Sequence, residues 1–138
     1  MPSKVLIVDD DPLIHVLYKK QLEQAGYQLV TAKDGSEVVE VASREKPQMI
    51  VMDILMTQMD GIAALRELKK HDETKEIPVV IATASVTAHY SLTKKECETS
   101  GAAGFLTKPF SPAQLIAEVK RVIQEPSTPP GAAEQKSG

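Results

Sequence analysis

The sequence predicts an α/β fold: a doubly wound, all-parallel sheet of five strands in the order 2-1-3-4-5, covered by five helices. Two observations carry this prediction. Short continuous apolar runs recur along the chain, several rich in Val and Ile, as strands buried on both faces require. Segments with helical spacing and helix-start signals sit between these runs, and strict β/α alternation gives an open sheet with right-handed crossovers.

The elements follow in order. Val5-Leu6-Ile7-Val8 is the first strand. Asp11 then Pro12 starts a helix, because the carboxylate caps free N–H groups and proline in the first turn forfeits no hydrogen bond. Ile14, Tyr18, Leu22 and Ala25 share one face of that helix, and Gly26 ends it. Gln28-Leu29-Val30-Thr31-Ala32 is the second strand, and Asp34 with Glu37 forms a capping box opening a helix through Val38, Val41 and Ala42. Gln48-Met49-Ile50-Val51-Met52 is the third strand, followed by a helix marked by Ile62, Leu65 and Leu68. Pro78-Val79-Val80-Ile81-Ala82 is the fourth. Residues 86–100 (VTAHYSLTKKECETS) are polar with few periodic apolar positions, and are assigned a fourth helix because the alternation needs a crossover there. Ala103-Gly104-Phe105-Leu106 is the fifth strand. Ser111 with Gln114 is a second capping box, with Pro112 in the first turn, opening the last helix through Leu115, Val119 and Val122.

One domain over residues 3–124 accounts for this pattern, and from Glu125 the composition changes to EPSTPPGAAEQKSG, expected to be a disordered tail or the stub of a linker. A net charge of −3 offers no basic footprint, so direct nucleic-acid binding by this chain is not expected. No apolar run approaches a membrane span, and the first residues lack the pattern of a signal peptide. The single cysteine, Cys97, excludes an internal disulfide framework and suits a reducing cytoplasm.

The acidic residues converge. Asp9, Asp10 and Asp11 follow the first strand and Asp53 follows the third. In a 2-1-3-4-5 sheet these strands are neighbours, and the binding crevice lies at their carboxyl ends. Asp9, Asp10 and Asp53 therefore meet there, and clustered carboxylates need proton uptake or a bound cation. Oxygen-only ligands in small number suit Mg²⁺. The fourth strand ends in Ala82-Thr83-Ala84 and the fifth runs into Lys108-Pro109, bringing a hydroxyl and an ammonium to the same end. A carboxylate can attack phosphorus to form an acyl phosphate, and a metal with an ammonium neutralises the phosphoryl oxygens. An acidic run, a strand Thr or a Lys-Pro turn means little alone; their joint placement at the ends of four strands carries the inference.

With IVDDD (7–11), MDILMTQMDG (52–61), ATAS (82–85) and GFLTKPF (104–110), the sequence resembles the receiver domains of bacterial two-component response regulators over about residues 3–124. The resemblance implies a flavodoxin-like sheet and a switch that takes a phosphoryl group from a histidine kinase or small phosphodonor onto Asp53. It implies that Asp9, Asp10, Asp53 and the main-chain carbonyl of Leu55 bind Mg²⁺ or Mn²⁺, Asp10 directly and Asp9 through water. Thr83 and Lys108 would grip the phosphoryl oxygens. Thr83 and Phe105 would reorient together, changing the face formed by the fourth helix, fifth strand and last helix. Such a domain catalyses only its own phosphotransfer and dephosphorylation. Its partners would be a sensor histidine kinase or phosphotransfer protein, a downstream protein or an output domain on a longer chain, with a phosphorylation-dependent homodimer left open.

Some positions depart from the pattern. Asp11, before Pro12, suits a helix cap better than a metal ligand. Thr57 stands where the family commonly has proline, Leu55 and Ser85 flank the path of a hydrolytic water, and 24 residues separate Thr83 from Lys108. A phosphatase of the haloacid dehalogenase class uses similar groups, but Asp9-Asp10-Asp11-Pro12-Leu13 lacks its Asp-x-Asp-x-Thr/Val hallmark and there is no room for a cap. An interaction module without phosphorylation is the other alternative, against which every acidic and basic position is present.

Overall fold

The structure, a computed structural model, describes residues 3–9, 11–53, 61–83, 95, 99, 101–107 and 110–124, with the backbone alone at 61, 62, 83, 107 and 124. Alternating apolar runs and amphipathic segments resolve into β1 (Ser3–Val8), α1 (Pro12–Gln24), β2 (Tyr27–Ala32), α2 (Gly35–Glu45), β3 (Met49–Asp53), α3 (Gly61–Lys70), β4 (Val79–Thr83), β5 (Gly104–Thr107) and α4 (Pro112–Gln124). The strands form one parallel sheet in the order β2-β1-β3-β4-β5, as the sequence predicts. Of the predicted helix over 86–100 the described residues are Lys95 and Thr99, both helical; the loop with Leu55 and Thr57, Ser85, and the tail from Glu125 lie outside the described residues.

Strand alternation divides the core in two. Leu6, Val8, Ile50, Met52, Val79 and Ile81 pack with Val38, Val41 and Ala42 of α2 and Ala64, Leu65 and Leu68 of α3. Val5, Ile7, Met49, Val51, Val80, Ala82 and Leu106 pack with Tyr18 and Leu22 of α1 and Leu115, Val119 and Val122 of α4. β1 and β3 are thus buried on both faces. β2 is not: only Ala32 is fully buried there, because β2 is an edge strand with a neighbour on one side alone.

The helix ends follow local chemistry. Leu13 N–H donates to Asp11 Oδ1 at 3.0 Å, so Asp11 is the N-cap of α1 with Pro12 in its first turn. Gly26, at φ +96°, takes the left-handed turn that leads out of α1. At α4 the capping box is complete: Gln114 N–H donates to Ser111 Oγ at 3.1 Å and Ser111 N–H to Gln114 Oε1 at 2.8 Å. At α2 the expected box is altered. Asp34 caps Ser36 N–H at 2.9 Å, but Glu37 Oε1 accepts from Lys33 N–H at 3.2 Å, one residue before the cap. The longer Glu37 side chain reaches past the cap and ties down the end of the β2–α2 turn.

Candidate functional site

Backbone register assembles the site. In the β1–β3 pair Val8 lies opposite Met52, so the next residues, Asp9 and Asp53, reach the carboxyl end of the sheet side by side. Asp53 is paired in turn with Ala82. β4 continues one residue to Thr83, paired with Thr107, whose successor in the chain is Lys108. Four adjacent strands therefore deliver Asp9, Asp53, Thr83 and the approach to Lys108 to one end of the sheet. The side chain of Thr83, and Asp10, Leu55 and Lys108 altogether, lie outside the described residues.

Asp9 is the best-defined member. It is only 3 % exposed, although it sits beyond the strand. Its N–H donates to the Ala32 carbonyl at 3.1 Å, which extends the β1–β2 ladder by one bond. Its Oδ1 accepts the Asp11 N–H at 2.9 Å. Its carbonyl lies 2.8 Å from His15 Nε2. Backbone and carboxylate are both held, on a residue type seldom buried without compensation. Asp53 is half-buried at the end of β3.

Phe105 is paired with Ile81 on β4 and packs, half-buried, against the α2–α3 side of the core. It is two residues from Thr107, the backbone partner of Thr83. On the opposite side of the sheet, Tyr18 and Phe110 stack with ring centroids 5.2 Å apart. This contact anchors the chain just beyond Lys108-Pro109.

A cavity of about 420 Å³ opens on the β2 side of Asp9, lined among the described residues by Asp9, Pro12, His15, Thr31 and Lys33. Sequence reasoning did not single out His15 or Lys33. The one available signal was position: His15 stands one helical turn after the Asp11 cap, and Lys33 directly follows β2.

The donor set fits a hard divalent cation on this geometry: a buried carboxylate, held in place, with a second carboxylate in register beside it. Among the described residues no three His, Cys, Asp or Glu side chains form a metal-holding group, and the expected third carboxylate, Asp10, lies outside them.

The fold and this end of the sheet define a CheY-type α/β signalling domain with an acidic crevice between its first and third strands. Residues 5–120 match the response regulator receiver domain, and the chain belongs to that family. It is 33 % identical over 137 residues to the alkaline phosphatase synthesis transcriptional regulatory protein PhoP of Bacillus subtilis, covering 99 % of this chain and 55 % of that one. It is 36 % identical over 121 residues to the protein PilH of Pseudomonas aeruginosa, covering 88 % of this chain and 98 % of that one. Among solved structures, the chemotaxis protein CheY4 of Vibrio cholerae is similar with a TM-score of 0.80 and 31 % identity, over 88 % of this chain and 99 % of that one. The receiver domain of a sensor histidine kinase of Pseudomonas aeruginosa, with magnesium ion coordinated in its active site cleft, matches with a TM-score of 0.80 and 26 % identity, over 91 % of this chain and 100 % of that one. The chain spans about half the length of the transcriptional regulators it matches. Among the described residues no helix is long and apolar enough to cross a membrane.

Proposed function

We propose that residues 3–124 form a phosphorylation-activated switch whose phosphoacceptor is Asp53. The observation that carries this reading is the register of Asp9 and Asp53 at the carboxyl ends of adjacent parallel strands, the place where such sheets bind ligands. A carboxylate oxygen of Asp53 attacks phosphorus in line with the leaving group. A P–O bond forms, and the bond to the donor, a phosphohistidine nitrogen or the acyl oxygen of acetyl phosphate, breaks. Asp9, Asp10, Asp53 and the Leu55 carbonyl would hold Mg²⁺ or Mn²⁺, which when bound neutralises charge on the phosphoryl oxygens. The Lys108 ammonium, which follows β5 in the chain, would do the same, and the Thr83 hydroxyl would donate to a phosphoryl oxygen once it is present.

The donor is expected to be a sensor histidine kinase or a phosphotransfer protein. α1 supports a docking place for it: Leu13 and Val16, each 71 % exposed, and Leu17, 53 % exposed, form an apolar ridge on the helix that starts beside Asp9. The output is expected to be a downstream protein or a further domain, reached through the face of the predicted helix over 86–100, β5 and α4. Incubation with acetyl phosphate and Mg²⁺ tests the proposal. One phosphoryl group per chain is expected, and a chelator should abolish it. Labelling that is indifferent to the chelator would count against the metal-dependent site.

A further inference from the structure

We propose that His15 is a positioning residue for cation binding, its Nε2–H fixing the Asp9 carbonyl and thereby the Asp9 carboxylate at the end of β1. The inference rests on the reading of Asp9 as part of the metal site. A carbonyl oxygen can only accept, so at 2.8 Å the ring nitrogen facing it carries the proton. Asp9 is consequently held by at least three different segments: its N–H by Ala32 of β2, its Oδ1 by the Asp11 N–H, and its carbonyl by His15, six residues on.

The first two restraints come from the main chain, which substitution does not remove. The third depends on the side chain at position 15 alone. Asp9 stands one residue beyond the last β1–β3 pair, Val8 with Met52, and its carbonyl is anchored to α1 through His15. A bond to the Asp9 carbonyl bears on the orientation of the carboxylate that the same residue carries. Partners that orient metal-binding groups affect affinity without touching the ion. His15 is half-buried on α1 and lines the cavity beside Asp9.

A merely structural tether would change stability and leave cation affinity alone. The two roles separate in a set of substitutions read by amide NMR titration with Mg²⁺ alone, alongside thermal melts without Mg²⁺. Gln places a side-chain N–H close to the Nε2 position, Asn falls short of it, and Leu has no donor. His15→Leu and His15→Asn should each weaken Mg²⁺ binding about 5–10-fold, and His15→Gln should stay within about twofold of the parent. The order of Mg²⁺ affinities should not follow the order of melting temperatures. Equal affinity in parent, Leu and Asn variants overturns the inference, as does equal weakening in Gln and Leu. A parent that binds no Mg²⁺ would instead sink the reading of the site itself, and the role of His15 with it.

Discussion

The Tyr18 hydroxyl donates to the Phe110 carbonyl at 2.6 Å, joining α1 to a residue 92 positions further along the chain. Both residues are buried, Tyr18 3 % and Phe110 7 % exposed, and their rings stack. Phe110 is the second residue after Lys108. The contact therefore ties the β5–α4 connection to the helix that begins at the acidic end of β1. Removing the hydroxyl leaves a buried carbonyl without this partner while keeping the ring. Tyr18→Phe should lose about 1–2 kcal/mol of stability, measured by urea unfolding. An unchanged midpoint would show that water replaces the hydroxyl.

Asp11 should behave as a cap. Its carboxylate holds the Leu13 N–H, whereas the bond to Asp9 comes from the Asp11 main chain and survives substitution. Asp11→Ala is expected to cost about 1 kcal/mol in stability. Mg²⁺ affinity should stay within about twofold, since the cap bond runs to Leu13 and the Asp11 N–H that holds Asp9 Oδ1 survives the substitution. A large loss of Mg²⁺ binding would make Asp11 a metal ligand instead.

Mg²⁺ should stabilise the fold. An ion that binds only the folded chain adds about 2.7 kcal/mol at 100 times its dissociation constant. The melting temperature should rise with Mg²⁺ concentration and then grow only logarithmically. Asp10→Asn should flatten that dependence and, by removing one of three like charges, raise stability in metal-free buffer. Equal Mg²⁺ binding by Asp10→Asn and parent would remove Asp10 from the ligand set.

Switching should reach β5 through Thr83. Its backbone is paired with Thr107, two residues beyond Phe105. A phosphoryl group gives Thr83 a new acceptor, and a ring without a hydroxyl can follow it by packing alone. Beryllofluoride with Mg²⁺ should shift amide signals around Thr83 and Phe105 as well as around Asp53. The expected coupling is about 1–3 kcal/mol. Thr83→Ala should keep the shifts near Asp53 and lose most of those near Phe105. Distant shifts that persist in Thr83→Ala would place the route elsewhere.

The sheet order and the convergence of Asp9 with Asp53 were legible because they depend on strand succession and on side chains that begin or end elements. The Asp11 cap and the Ser111–Gln114 box were legible for the same reason: both partners lie within three residues. What escaped depends on tertiary neighbours. The sequence cannot distinguish Glu37 reaching Lys33 from Glu37 closing its own box, because both donors lie within its reach. The apolar run of β2 looks like a core strand, yet the edge position leaves it half open. The link from His15 to a main-chain carbonyl carries no residue-type signal at all, since every residue supplies that acceptor.

The most direct test is the site of phosphorylation. Intact-mass spectrometry after incubation with acetyl phosphate and Mg²⁺ should show one added phosphoryl group on the parent, labile to hydroxylamine as an acyl phosphate is. Asp53→Asn should show none, with its fold intact by circular dichroism. A hydroxylamine-sensitive phosphoryl group of undiminished yield on folded Asp53→Asn would contradict the account.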